Sequence, residues 1–320
     1  MTEREARIAD FLARHGFGDA ARTPLAGDAS ARRYERLRGG PRPALLMDAP
    51  PEHMDSRPYL EIAAWLAGLG LSAPQVIAAE PEQGLAVIED LGNDLFSQVL
   101  TAGTADEALL YEAAVDVLLR LQAATPPALP RYDDAWLLAE AELLIEWFAP
   151  DLPAAVAADY RAIWRDLLPR ARVGSECFVY VDYHADNLLW LPEREGLARI
   201  GLLDFQDARV GPPAYDLVSL LEDARRDVAP ALAAAIIHRY LLRRPDLEPQ
   251  AFMTAFAVLG AQRNAKILGL FSRLARRDGK PRYLALQPRV LRYFERDLAH
   301  PALAPLATWC RHHLGIGARS

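Results

Sequence analysis

Asp182 and Asn187 stand five residues apart in the stretch Phe178-Val179-Tyr180-Val181-Asp182-Tyr183-His184-Ala185-Asp186-Asn187-Leu188-Leu189. Asp204 follows 17 residues after Asn187, at the end of Ile200-Gly201-Leu202-Leu203-Asp204-Phe205. In phosphoryl transfer a carboxylate facing a substrate hydroxyl orients it and receives its proton, while an amide oxygen and a second carboxylate hold Mg²⁺ against the phosphates of ATP. Mg²⁺ suits such a set, because it prefers hard oxygen ligands completed by substrate phosphates. Asp182 is thus the candidate catalytic base, with Asn187 and Asp204 as candidate metal ligands. An isolated Asp-Asn pair more often forms a surface turn. Here apolar runs lead in before Asp182 and out after Asn187, and Leu202-Leu203 deliver Asp204 from a buried strand.

Weaker signals surround this set. Gly27, Ala29 and Ser30 form a small-residue turn whose backbone N–H groups could approach phosphates closely, although an ordinary hairpin turn reads the same way. His184 more readily holds the loop through a ring hydrogen bond than acts as an acid or a ligand. Gln262, Arg263 and Lys266 sit in a long helical stretch, with 262 and 266 on one face. Their polar groups could meet a sugar, and their positive charge a substrate carboxylate; a solvated stripe with a snorkelling Lys is the plain alternative. Asp207 is a further candidate for contact with the acceptor, or a simple loop cap.

The elements that must position these residues fall into two kinds. Up to residue 90 the pattern alternates like a sheet, with strands at 44–48, 75–79 and 85–89 and one embedded helix at 57–69, after an N-terminal helix at 3–15. Beyond Leu91-Gly92, helical periodicity dominates: 105–124, 134–147, 153–168, 214–225, 228–243, 249–276, 283–297 and 301–314. The strand-like insert 178–204 carries the catalytic candidates. The expected fold class is α+β, with a β-rich nucleotide-binding lobe over residues 1–90 and a mainly helical lobe over 91–320 holding the catalytic loop and substrate site. A nucleotide is expected between the two lobes.

Composition sets the outer limits. The chain has 320 residues, 52% of them hydrophobic and 25% charged, in the range of globular domains. A net charge of −7 argues against nucleic acid as a partner. Cys177 and Cys310 alone give neither a disulfide framework nor a metal-knuckle spacing. The N-terminus lacks an apolar signal core, and no run is long enough to span a membrane. The expectation is a cytoplasmic protein acting on a small molecule, with no membrane and no obligate protein partner.

Asp182-x-His184-x-x-Asn187, Leu203-Asp204-Phe205 and Gly211-Pro212-Pro213-Ala214-Tyr215-Asp216-Leu217, in this order, resemble the aminoglycoside phosphotransferase and choline-kinase-like family. That resemblance implies a protein-kinase-like bilobal fold and an ATP- and Mg²⁺-dependent kinase. By resemblance, Asp182 is the base, Asn187 and Asp204 bind Mg²⁺, and Asp216 is a buried structural carboxylate bracing the catalytic loop. Glu61 matches the phosphate-site Glu of the small-lobe helix, and the adenine is expected against the backbone of Glu89-Asp90-Leu91. Closer still, Gly27 to Tyr34, Leu46-Met47-Asp48-Ala49-Pro50-Pro51, Gln262 to Gly269 and Arg277-Asp278-Gly279-Lys280 resemble the anomeric kinases of N-acetylmuramate and N-acetylglucosamine, which serve cell-wall recycling. The implied acceptor is the anomeric hydroxyl of such a sugar.

Two positions depart from the wider family. Met47 stands where most members place the ATP-phosphate lysine, and Tyr180 replaces the His of His-x-Asp. Of the adjacent Arg32 and Arg33, one is expected to face the nucleotide and supply the missing cation, since neighbours on a strand point to opposite sides. An aminoglycoside, amino-alcohol or amino-acid kinase, or a nucleotide-binding pseudokinase, remains the alternative reading. A protein kinase is disfavoured, because the segment between Asp204 and Asp216 is too short for a peptide-docking activation segment.

Overall fold

The structure, a computed structural model, describes residues 2–25 and 32–317. Gly27, Ala29 and Ser30 lie outside the described residues. Two compact units make up the chain: Met1–Ala102 with Asp186–Asp207, and Gly103–Ala185 with Ala208–Ser320.

The first unit is built on a five-stranded antiparallel sheet. Its strands are β1 (Ala21–Pro24), β2 (Arg33–Arg38), β3 (Ala44–Asp48), β4 (Val76–Glu80) and β5 (Leu85–Glu89), in the order β1-β2-β3-β5-β4. Helix α1 (Glu3–Arg14) starts at Thr2, whose hydroxyl accepts from the Glu5 N–H at 3.2 Å. Its stripe of Ile8, Phe11 and Leu12 closes over Leu37, Ala44, Leu46, Leu85 and Val87, forming the core of this unit. The β4–β5 connection turns at Gly84, with φ +63°, where an added Cβ would lie 1.8 Å from the Ala49 carbonyl oxygen. Only glycine fits there. Helix α2 (Arg57–Gly68) buries Tyr59, Ile62, Ala63 and Leu66.

The segment 186–207 belongs to this unit. Strands β7 (Leu188–Trp190) and β8 (Ile200–Leu202) form a short antiparallel hairpin. Arg194 fastens it, donating to Ser72 Oγ at 2.7 Å and to Glu89 at 2.6 Å. The Leu202 N–H adds a bond to the Ser72 carbonyl at 2.9 Å. A helix not anticipated from the pattern, α3 (Phe96–Ala102), leads out of the unit.

The second unit is mostly helical: α4 (Glu107–Ala123), α5 (Asp134–Leu143), α6 (Ala154–Leu167), α7 (Tyr215–Leu221), α8 (Pro230–Leu242), α9 (Pro249–Arg276), α10 (Gln287–Leu298) and α11 (Ala304–Leu314). Strand β6 (Cys177–Val179) pairs with β9 (Arg209–Gly211), a strand too short to be read from the sequence. Helix α5 starts at Asp133, whose carboxylate accepts from the Trp136 N–H at 2.9 Å, and continues into a π-turn over Leu144–Phe148. The 28-residue α9 opens with Pro249 behind a Glu248 cap and packs against α5, α7 and α10. Gly269 permits that packing: a Cβ there would lie 2.1 Å from the Leu143 carbonyl oxygen. Among the described residues no helix is long and apolar enough to cross a membrane.

Candidate active site

The catalytic loop leaves β6 through Tyr180 and Val181. Val181 has φ +77°, a conformation strongly disfavoured for a β-branched side chain. Holding it costs about 1–3 kcal/mol, so surrounding contacts must enforce it. Asp216, fully buried at the start of α7, does so: its carboxylate accepts from the backbone N–H of Tyr180 at 2.6 Å and of Val181 at 2.9 Å. Burial pushes the Asp216 pKa up to about 7, although these two donors pull it down. Asp223 braces the loop farther on, accepting from the Ala185 N–H at 3.3 Å. Tyr183 anchors it to α4 through a 2.7 Å bond to the Ala114 carbonyl. Tyr180, where the family has His, is fully buried and meets Tyr183 edge to face at 5.2 Å.

This frame presents Asp182. Burial opposes ionisation of its carboxyl, but the positive charges of Lys266, Arg263 and Arg225, joined by His184 when it is protonated, outweigh that and hold its pKa below the ordinary value. The group is therefore a carboxylate at neutral pH, as a proton acceptor must be. His184 is buried, and its pKa is lowered, chiefly by burial. Its backbone N–H donates to the Asp182 carbonyl at 3.2 Å.

Helix α9 brings Lys266 and Arg263 to this carboxylate. Lys266 pairs with Glu140 on α5 at 2.8 Å. Burial disfavours its charge, yet Tyr215, Glu140 and Asp182 hold its pKa above the ordinary value. Arg263 is buried and donates to the Glu222 carbonyl at 3.2 Å. Gln262 is fully buried and donates to the Leu137 carbonyl at 2.9 Å, so it ties α9 to α5. Of the three expected substrate residues, the structure therefore leaves Lys266 best placed to meet a ligand and uses the Gln262 amide as a brace.

In the β-rich unit, Asn187 and Asp204 are joined at the mouth of the β7–β8 hairpin, where the Leu203 N–H donates to the Asn187 carbonyl at 3.0 Å. Asp204 has φ +63° and is exposed. Val181 and Asp204 are the two non-glycine residues with positive φ among the described residues. Strain of this kind concentrates at functional sites. Among the same residues, no group of three or more His, Cys, Asp or Glu could hold a metal. An Asn and an Asp on adjoining strand ends fit Mg²⁺, which takes few protein oxygens and completes its shell with phosphates and water. Asp207 is exposed and accepts from the Gln206 amide at 3.2 Å.

The lysine-deficient strand has its own arrangement. Met47 is fully buried, paired between Tyr34 and Ala86. Leu37 belongs to the core under α1, so Arg33 shares that side of the sheet, whereas Arg32 shares the side of Tyr34 and Met47. Arg33, one of the two arginines considered for the ATP phosphates, is exposed. Arg32 is buried: it donates to Gln206 at 2.9 Å and lies 5.3 Å from the Tyr59 ring. Gln206 in turn donates to the Asp204 carboxylate at 2.8 Å. The guanidinium linked to Asp204, the candidate metal ligand, is thus that of Arg32. Glu61 is exposed, and α2 instead turns Tyr59 inward to stack on Phe205 at 4.8 Å. Glu89 is occupied by Arg194 through its carboxylate and by the Gln75 carbonyl through its N–H at 2.8 Å. Leu91 is buried against Leu189 and Leu191. Glu140, Asp223 and Arg225 were not singled out from sequence, because each lies in an ordinary charged helix or loop stretch.

Residues 21–252 match the phosphotransferase enzyme family. An N-acetylmuramate/N-acetylglucosamine kinase of Caulobacter vibrioides is 42% identical over 359 aligned positions, covering 99% of each chain. A kinase of the same name from Pseudomonas aeruginosa is 36% identical, over 93% of this chain and 91% of that one. In three dimensions, a choline/ethanolamine kinase family protein from Mesorhizobium loti superposes with TM-score 0.66 at 15% identity, over 97% of this chain and 99% of that one. The ADP-bound aminoglycoside phosphotransferase APH(2'')-Ib gives TM-score 0.62 at 13% identity, over 91% and 97%. The α+β fold is thus that of the kinase-like phosphotransferases, and this chain belongs to the phosphotransferase enzyme family.

Proposed function

We propose that this chain is an ATP- and Mg²⁺-dependent sugar kinase that phosphorylates the anomeric hydroxyl of N-acetylmuramate and N-acetylglucosamine. The observation that carries the reading is the basic surround of Asp182, formed by Lys266, Arg263 and Arg225. These charges favour a sugar carboxylate or a neutral acetylated sugar over a cationic aminoglycoside or choline, with the Glu140 partner of Lys266 offsetting part of that bias. The names of the full-length relatives support the same acceptor. ATP complexes among proteins of the same fold, such as the streptomycin-ATP complex of APH(2'')-IIa, support the donor.

In this reading Asp182 accepts a hydrogen bond from the acceptor hydroxyl, orients it in line with the γ-phosphate, and receives its proton as the new P–O bond forms. The carboxylate is ionised beforehand, so no prior deprotonation is required of it. Asn187 and Asp204 would hold Mg²⁺, which supplies charge neutralisation at the phosphates when bound. Arg32, linked through Gln206 to Asp204, takes the place of the absent lysine. In this reading the β-rich unit, with its 186–207 segment, binds the nucleotide and the helical unit binds the acceptor.

The test is Asp182→Asn in steady-state assays with MgATP and N-acetylglucosamine. We expect kcat to fall by about 10³ with the KM for ATP little changed, the scale of losing a catalytic base and its orienting role. A kcat within tenfold of wild type would refute the assignment.

A further inference from the structure

Trp136 is the sole aromatic among the large apolar side chains that stay exposed in the described residues, with 46% of its surface open. It is nonetheless held rigidly. Its indole N–H donates to Glu140 Oε1 at 3.2 Å. The Arg209 guanidinium lies over its ring, 3.5 Å from the centroid. Lys266 Nζ bonds the same Glu140 oxygen at 2.8 Å. Two bonds converging on one atom put the indole nitrogen and the ammonium no more than about 6 Å apart. Tyr132 and Gln262 also donate to Glu140, at 2.5 and 3.4 Å, so its carboxylate cannot swing away. Lys266 in turn acts on the Asp182 carboxylate. An anchored, half-open aromatic ring therefore stands one sugar ring's span from a cation whose charge helps keep the candidate base ionised.

We propose that Trp136, Glu140 and Lys266 form the acceptor subsite, in which the apolar face of an N-acetylated hexose lies on the face of the Trp136 ring opposite Arg209 and its polar substituents meet the Glu140–Lys266 pair. The proposal deepens the kinase reading above and rests on it for the identity of the sugar. An aromatic body with its polar end tied down is a stacking platform of low entropy cost. Glu140 also accounts for tolerance of two differently charged sugars. It supplies Lys266 with a counter-ion when the sugar is neutral, so no bare ammonium is left beside the ligand. A sugar carboxylate competes with Glu140 for the same ammonium, which tempers the advantage of the acidic sugar.

The test is equilibrium titration of N-acetylglucosamine, without nucleotide, into wild type and Trp136→Ala, read by calorimetry, together with turnover of both sugars by wild type, Trp136→Ala and Glu140→Gln. Because Trp136 is half exposed, its truncation should leave the protein folded, with Tm lowered by a few degrees at most. The expected results are at least tenfold weaker sugar binding by Trp136→Ala with an unchanged KM for ATP. Glu140→Gln should shift the kcat/KM ratio of N-acetylmuramate to N-acetylglucosamine upward at least fivefold, because Lys266 loses its internal competitor. Binding of N-acetylglucosamine without turnover would sink the kinase reading and leave the subsite standing. Turnover by wild type with undiminished binding by Trp136→Ala, or an unchanged acid-to-neutral ratio in Glu140→Gln, would overturn the subsite. Absence of sugar binding by wild type would overturn it as well.

Discussion

Gly269→Ala offers a test that starts from packing and ends in catalysis. Alanine is the better helix former by about 1 kcal/mol, so propensity alone predicts a gain in stability. The structure predicts the opposite. The new Cβ would lie 2.1 Å from the Leu143 carbonyl oxygen and 2.2 Å from its carbon. Both are backbone atoms of the turn that ends α5, so no side chain can rotate out of the way. Reaching ordinary contact at 3.4 Å requires α9 and α5 to separate locally by about 1.3 Å. Overpacking of this kind costs about 1–3 kcal/mol, and a backbone clash belongs at the upper end. The net loss is then about 2 kcal/mol, or about 4–8 °C in Tm for a unit of this size. The functional consequence is larger. Lys266 lies on α9 one turn before Gly269, and its partner Glu140 lies on α5, 2.8 Å away. Displacement by about 1 Å breaks that geometry and can reduce turnover by about 10²-fold. Calorimetry and steady-state kinetics on the purified variant should show a lower Tm and a fall in kcat/KM for the sugar, with the KM for ATP nearly unchanged. A Tm equal to or above that of wild type would refute the close approach of α9 to α5, and with it the basis for placing Lys266.

Other perturbations separate the remaining parts of the account. Asp216 has a folded pKa near 7 against an ordinary value of 3.8, so the folded chain binds the extra proton between those values. Its contribution to stability therefore falls as pH rises from about 4 to 7, by up to about 4 kcal/mol. In Tm measured across this range, wild type should lose ground to Asp216→Asn; parallel profiles would show that Asp216 does not titrate there. Arg32→Ala should raise the KM for ATP by about tenfold while Arg33→Ala leaves it within twofold, since a buried cation linked to Asp204, the candidate metal ligand, matters more than an exposed one; the reverse order would assign the role to Arg33. Asp204→Asn should lower activity at limiting Mg²⁺ by at least about 10²-fold, with partial recovery at high Mg²⁺, and indifference to Mg²⁺ concentration would remove Asp204 from the metal site.

Where local chemistry decides, the sequence reads clearly. The bounds of α9 follow from Glu248-Pro249 at the start and an unbroken Ala- and Leu-rich period to Arg276. β3 and β5 coincide with their apolar runs. The catalytic candidates emerge because their spacing is rigid: a short loop from β6 and a short hairpin leave few other uses for three oxygen side chains. What escaped depends on long-range pairing. Arg32 and Arg33 could be told apart only once β2 had its register against β3 and α1 had chosen which side of the sheet to cover. The orientation of α2 is likewise set at long range: the side that packs bears Tyr59, and Glu61 stays exposed. Glu140 is indistinguishable in sequence from a solvated helix charge; its meaning comes from Lys266 more than a hundred residues away. The same holds for Asp223, which caps the catalytic loop from beyond α7.

The central claim, that the basic surround of Asp182 serves an N-acetylated sugar, is tested most directly by phosphorus NMR of reactions containing MgATP and N-acetylmuramate, N-acetylglucosamine, kanamycin or choline. The account predicts an anomeric sugar phosphate from the first two acceptors and no phosphorylated product from the two cations. Phosphorylation of kanamycin or choline in preference to either sugar, or a phosphate at a hydroxyl other than the anomeric one, would contradict it.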